Sequence, residues 1–74
     1  MDNQHRKITG YRELSQDEID LMNEIKETGA ELERLVAKVR AFPDADQRWA
    51  SIGATHFQEG LMATTRSVAR PESF

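Results

Sequence analysis

An all-α fold, an antiparallel two-helix hairpin preceded by an N-terminal arm, is predicted by three observations on the 74-residue sequence. Two long stretches carry apolar residues at helical spacing, Pro43 and Pro71 fall just beyond their ends, and only a short turn separates them. Cysteine is absent, so neither a disulfide nor a thiolate metal site can reinforce so short a chain. Eight alanines and only 15 Leu, Ile, Val and Phe residues offer little apolar surface to bury. A domain this small keeps much of its surface exposed even when folded, and self-association is the remedy left to it.

Residues 1–15 form the arm. Ser15 followed by Glu18 is a capping box, Leu14 stands just before the cap, and Asp17, Glu18 and Asp20 place negative charge where the helix dipole favours it. A helix therefore starts at about residue 16. Ile19, Met22, Ile25, Leu32, Val36 and Val39 mark its apolar stripe, with Gly29 keeping the spacing, and a second row runs Leu21, Leu35, Phe42. Lys38 and Arg40 close the last turn before Phe42-Pro43 stops it, giving a helix over 16–41 of roughly 39 Å at 1.5 Å per residue. Pro43-Asp44-Ala45-Asp46 is a turn whose aspartates can cap a second helix, expected over 47–70 and ended by Pro71. Its best stripe is Ala50, Gly53, Phe57, Leu61, Thr64, Val68, small and mixed in character. The hairpin thus occupies residues 16–70 and a short tail 71–74.

Gly53, Gly60 and Ser67 are seven residues apart, and Gly29 sits in the middle of the first helix, where glycine costs about 1 kcal/mol relative to alanine. Small residues aligned at that cost point to a closely packed backbone, either within the hairpin or from another chain.

The net charge is −3, unevenly distributed. Residues 1–12 are cationic through Arg6, Lys7 and Arg12, residues 13–33 hold eight carboxylates against Lys26 alone, and residues 34–74 are again mildly cationic. Genomic nucleic acid is an unfavourable partner for such a chain, because phosphate neutralisation normally requires a basic face. A small anionic ligand needs only a few placed cations and remains compatible with the charge. No window approaches the 18 to 20 apolar residues of a typical membrane span, and Met1-Asp2-Asn3-Gln4-His5 lacks the apolar core of a signal peptide, so a soluble cytoplasmic protein with no membrane partner is expected.

No catalytic residue, cofactor or metal is expected. The sequence holds no glycine-rich phosphate loop and no nucleophile with a plausible base, and His5 and His56 lack a third metal ligand. Trp49 and Phe57 read as core or interface anchors.

Ile8-Thr9-Gly10-Tyr11-Arg12-Glu13-Leu14-Ser15 entering an acidic helix, Thr55-His56-Phe57-Gln58-Glu59-Gly60-Leu61-Met62, and the ending Arg66-Ser67-Val68-Ala69-Arg70-Pro71 resemble one known family. It is that of the phage anti-CBASS cyclic-oligonucleotide sponges, whose helical hairpin also occurs in the Thoeris anti-defence sponges. The resemblance covers nearly the whole chain, least around Pro43. It implies a homohexamer, a trimer of interlocked dimers. It further implies that cyclic dinucleotides such as cyclic GMP-AMP bind one kind of pocket and cyclic trinucleotides such as cyclic tri-AMP another.

Two readings stand beside each site residue. The Tyr11 ring could stack on a purine or staple the arm to a helix; the resemblance implies stacking on a cyclic dinucleotide. Lys26 could be a solvated helix cation, and the resemblance implies that it meets a dinucleotide phosphate, with Arg12 and Arg6 as further arm cations. Thr28 interrupts the row Leu21, Leu35, Phe42 and could bond back to the carbonyl one turn earlier. Arg66 shares a polar row with His56, Glu59 and Arg70 and could form an ion pair with Glu59 or the first helix. The resemblance implies that Thr28 and Arg66, repeated by three-fold symmetry, hold a cyclic trinucleotide.

The functional expectation is sequestration of cyclic di- and trinucleotide messengers without cleavage. The alternative is a short coiled-coil module that binds a protein and no nucleotide, which has no reason to keep Tyr11 and Lys26 as a pair. A helix-turn-helix regulator is disfavoured by the acidic charge and by the length of the helices.

Overall fold

The computed structural model describes residues 13–73. Helices α1, Gln16–Ala41, and α2, Gln47–Ala69, pack against each other as a hairpin, and no strand occurs among the described residues. Both lie where the apolar periodicity predicts helices.

Each helix end has a local cause. Ser15 Oγ accepts from the Glu18 N–H at 3.2 Å while Glu18 Oε1 accepts from the Ser15 N–H at 2.8 Å, which completes the predicted capping box. Phe42 is extended because Pro43 disfavours helical backbone at the residue before it. In the turn, the Ala45 N–H donates to the Phe42 carbonyl at 3.1 Å, and Asp46 caps α2 by accepting from the N–H groups of Arg48 and Trp49 at 3.0 and 3.2 Å. Arg70 is left-handed, with φ 44° and ψ 61°, so α2 ends at Ala69, one residue earlier than Pro71 alone suggests.

The seam between the helices has a seven-residue repeat. On α1 the half-buried residues are Glu18, Met22, Ile25, Gly29, Leu32, Val36 and Val39, in alternating steps of four and three. That is the pattern of a left-handed coiled-coil contact. It corrects the expected stripe at its start: Glu18 occupies the inward position and Ile19, 100° further round the helix, is exposed. On α2, Ala50, Gly53, Ala54, Leu61, Thr65 and Val68 are half-buried; Phe57, expected inward, is 39% exposed, and Thr64, also expected inward, is exposed because the step after Leu61 is four residues. Gly29 lies opposite Leu61, and a Cβ there would stand 3.3 Å from Leu61 Cδ1, so packing within one chain accounts for this glycine. Gly53 and Gly60 have nothing within 4 Å of an added Cβ.

A hairpin has one seam and no second layer. None of the described residues is fully buried, and Leu21, Leu35, Phe42 and Met62 remain exposed. Trp49 is 61% exposed, with the Arg48 guanidinium 5.7 Å from its ring centroid, so it is not part of a core within this chain. The molecule is a rod of 53 × 23 × 17 Å with a radius of gyration of 16.4 Å, against about 11 Å for a compact chain of this length. Among the described residues, no helix is long and apolar enough to cross a membrane.

Candidate ligand-binding site

The two helices leave a groove along one side of the seam. Its floor and walls are Gly29, Leu32, Val36, Ala54, Phe57 and Leu61, its polar rim includes Lys26, Glu33, Arg40 and Gln58, and its volume is about 550 Å³. That lies within the range of small-molecule sites, and apolar walls with a few polar groups are their usual construction. Lys26 also borders a second recess, with Met22, Asn23, Ile25, Leu61 and Thr65. Lys26 therefore stands between two adjoining hollows, exposed and with no side-chain partner among the described residues.

Arg40 was legible in the sequence only as a charge near the end of α1. It follows Lys26 by two heptads, which puts it at the other end of the groove, roughly 21 Å along the axis. Its guanidinium donates to Ser51 Oγ at 3.3 Å, bridging the helices near the turn.

Thr28 lies elsewhere. Two residues along a helix correspond to a rotation of 200°, so Thr28 and Lys26 project from α1 roughly 160° apart. Leu35, seven residues beyond Thr28, lines a shallow apolar hollow on that opposite side with Val39, Gly53 and Phe57. The Thr28 hydroxyl donates to the Glu24 carbonyl at 3.0 Å. This is the back-bond a helical threonine commonly makes, and it leaves the hydroxyl oxygen able to accept.

Arg66 does not meet Thr28 in one chain. It borders a recess of Leu61, Met62, Thr65, Ala69 and Pro71, which shares the Leu61 and Thr65 walls with the hollow beside Lys26. By the Gly29 and Leu61 register, Arg66 lies level with Glu24, four residues, or roughly 6 Å, from the level of Thr28. Its guanidinium donates to the Ser73 carbonyl at 3.1 Å, while His56 Nδ1 stands 3.6 Å from Glu59 Oε1. Tyr11, Arg12 and Arg6 lie outside the described residues.

One contact ties the open end of the hairpin together and was not anticipated from sequence. Glu18 Oε2 accepts from Arg70 at 3.0 Å across 52 residues, while its other oxygen serves the capping box. The Glu18 side chain is only 17% exposed there. Its signal in the sequence was a carboxylate in phase with the apolar heptads, a position where charge is costly unless paired.

Comparison with known proteins agrees with this architecture. Residues 3–69 match the family model described as the Acb2/Tad1 hairpin domain. The chain is 41% identical to Anti-CBASS protein 2 of Pseudomonas phage JBD67, over 97% of this chain and 98% of that protein. A hairpin matched over nearly its full length by both comparisons places this chain in the Acb2/Tad1 hairpin-domain family.

Proposed function

We propose that this protein counters CBASS defence in the cytoplasm of an infected bacterium by sequestering cyclic oligonucleotide messengers without cleaving them. The observation that carries the reading is Lys26, an unpartnered cation among the described residues, set between two apolar hollows on the flank of α1 opposite Thr28. A cyclic dinucleotide combines apolar purine faces with two phosphates, and this surface offers the matching chemistry: apolar wall for a base, ammonium for a phosphate.

Tyr11 completes the dinucleotide site in this reading, with Arg12 as a further cation. It precedes Ser15 by four residues, so its Cα stays within roughly 14 Å of the cap, while Lys26 lies roughly 16 Å up the helix. Cyclic trinucleotides bind separately, each phosphate meeting one Thr28 and one Arg66 from symmetry-related copies. Self-association into a hexamer supplies those copies, supported by the lack of a fully buried residue among the described residues and by the open surface at Gly53 and Gly60.

The test is calorimetric titration of the purified protein with cyclic di- and trinucleotides, followed by heat denaturation and mass analysis of the released ligand. Saturable binding and recovery of ligand at its original mass are expected. Linear products accumulating with time would overturn sequestration, and no binding by any member of the panel would return the protein to the protein-interaction reading.

A further inference from the structure

Thr65 occupies a seam position of α2 that an apolar side chain would suit better. It is half-buried, as are Ala54, Leu61 and Val68 along the same stripe. Among the described residues its hydroxyl has no hydrogen-bond partner, whereas the hydroxyls of Thr28 and Thr64 donate to carbonyls one turn earlier, Glu24 at 3.0 Å and Gly60 at 2.7 Å. Polar groups partly withdrawn from water normally find a partner. The hairpin thus gains nothing from this hydroxyl that the methyl group of an isosteric valine would not supply.

The hydroxyl stands beside Lys26. By the register that sets Gly29 opposite Leu61, Thr65 lies level with Ile25, and it lines the recess of about 360 Å³ that Asn23 and Lys26 also border. Asn23 precedes Lys26 by three residues, which makes the two neighbours on the surface of α1, and no described residue engages its amide. The polar side chains of the recess are therefore an ammonium, an amide and a hydroxyl, all able to donate. No carboxylate lines it, although residues 13–33 hold eight. The groove on the other side of Lys26 differs, because Glu33 stands on its rim. An anion meets only donors in the recess and a like charge in the groove.

We propose that Thr65 and Asn23 are further binding residues: with Lys26 they hold a phosphate of the cyclic dinucleotide in this recess, the Thr65 hydroxyl and the Asn23 amide donating to its oxygens, which leaves the apolar groove to a base. This rests on the proposed role of Lys26.

The test is calorimetric titration with cyclic GMP-AMP of Thr65→Val, Thr65→Ser and Asn23→Asp, with Thr64→Val as the control at an exposed position whose hydroxyl is already bonded. Affinity should fall about tenfold in Thr65→Val, as for one lost hydrogen bond to a charged group, and stay within about threefold of wild type in Thr65→Ser, which keeps the hydroxyl. It should fall by more than about tenfold in Asn23→Asp, which keeps the size of the side chain and sets a carboxylate beside the phosphate. Thr64→Val should bind as the wild type does. Thermal denaturation separates ligand contact from folding: Thr65→Val should melt no lower than wild type, because no hydrogen bond within the protein is lost. A lower Tm would show that the hydroxyl serves the hairpin and would overturn the proposal. So would wild-type affinity in Thr65→Val or in Asn23→Asp, or a loss in Thr65→Ser equal to that in Thr65→Val. Each of these results leaves sequestration standing as long as the wild type binds, whereas a wild type that binds no cyclic dinucleotide overturns the sequestration reading and this assignment with it.

Discussion

Replacing Gly60 with alanine tests whether the open stripe on α2 faces another chain. Within one chain, a Cβ at Gly60 meets nothing within 4 Å, and the residue lies inside a helix. The intrinsic gain of alanine over glycine there is about 0.5 to 1 kcal/mol, which corresponds to a rise of several degrees in Tm for a domain of this size. Gly29→Ala is the internal control. Its Cβ would lie 3.3 Å from Leu61 Cδ1, a flexible side-chain end that must yield by a few tenths of an ångström. The helical gain and the contact strain then roughly cancel, leaving a change within about 0.5 kcal/mol. If other copies pack on Gly60, the order reverses: Gly60→Ala should lower the Tm and reduce the solution mass toward the 8.5 kDa of one chain, while Gly29→Ala leaves the mass unchanged. Thermal denaturation by circular dichroism with light scattering reads both quantities. A Gly60→Ala protein with raised Tm and unaltered mass would refute the reasoning that assigns this stripe to an interchain contact.

Two further predictions concern the ligand surfaces. Lys26→Ala should weaken cyclic GMP-AMP binding by about 1.5 to 3 kcal/mol through loss of a charge-assisted phosphate bond, and Tyr11→Ala by about 1 to 3 kcal/mol through loss of stacking. Calorimetry on variants of confirmed helicity checks both, and wild-type affinity in either returns that residue to its solvated or stapling role. Thr28→Ala and Arg66→Ala should impair cyclic tri-AMP while sparing cyclic GMP-AMP, because Thr28 lies on the flank opposite Lys26 and, in the proposed assembly, meets Arg66 of a symmetry-related copy. Competition between the two ligands at saturation would show one shared pocket and contradict this division.

Much of the fold was legible because its determinants are local. The capping box at Ser15 and Glu18, the stop at Phe42-Pro43 and the aspartate cap at Asp46 each act within four residues of the sequence. Helical periodicity likewise places Lys26 and Thr28 on different flanks of α1 from spacing alone, since 100° per residue is a property of the backbone.

Tertiary structure decided what two helices jointly determine. The choice of Glu18 over Ile19 as the first inward position depends on Arg70, 52 residues away, whose charge makes a carboxylate tolerable there. The substitution of Thr65 for Thr64 follows from the phase at which α2 meets the α1 heptads, and the account of Gly29 follows from Leu61 lying opposite it. Arg66 could be recognised as a cation from sequence, but its place beside Leu61 and Pro71, away from Thr28, is set by the register of the hairpin. Sequence by itself determined the helices, their limits and their charged faces, because each arises from interactions within a few turns. Which side chains share a groove was decided only when the helices packed, because that requires a relative phase and register absent from either helix alone.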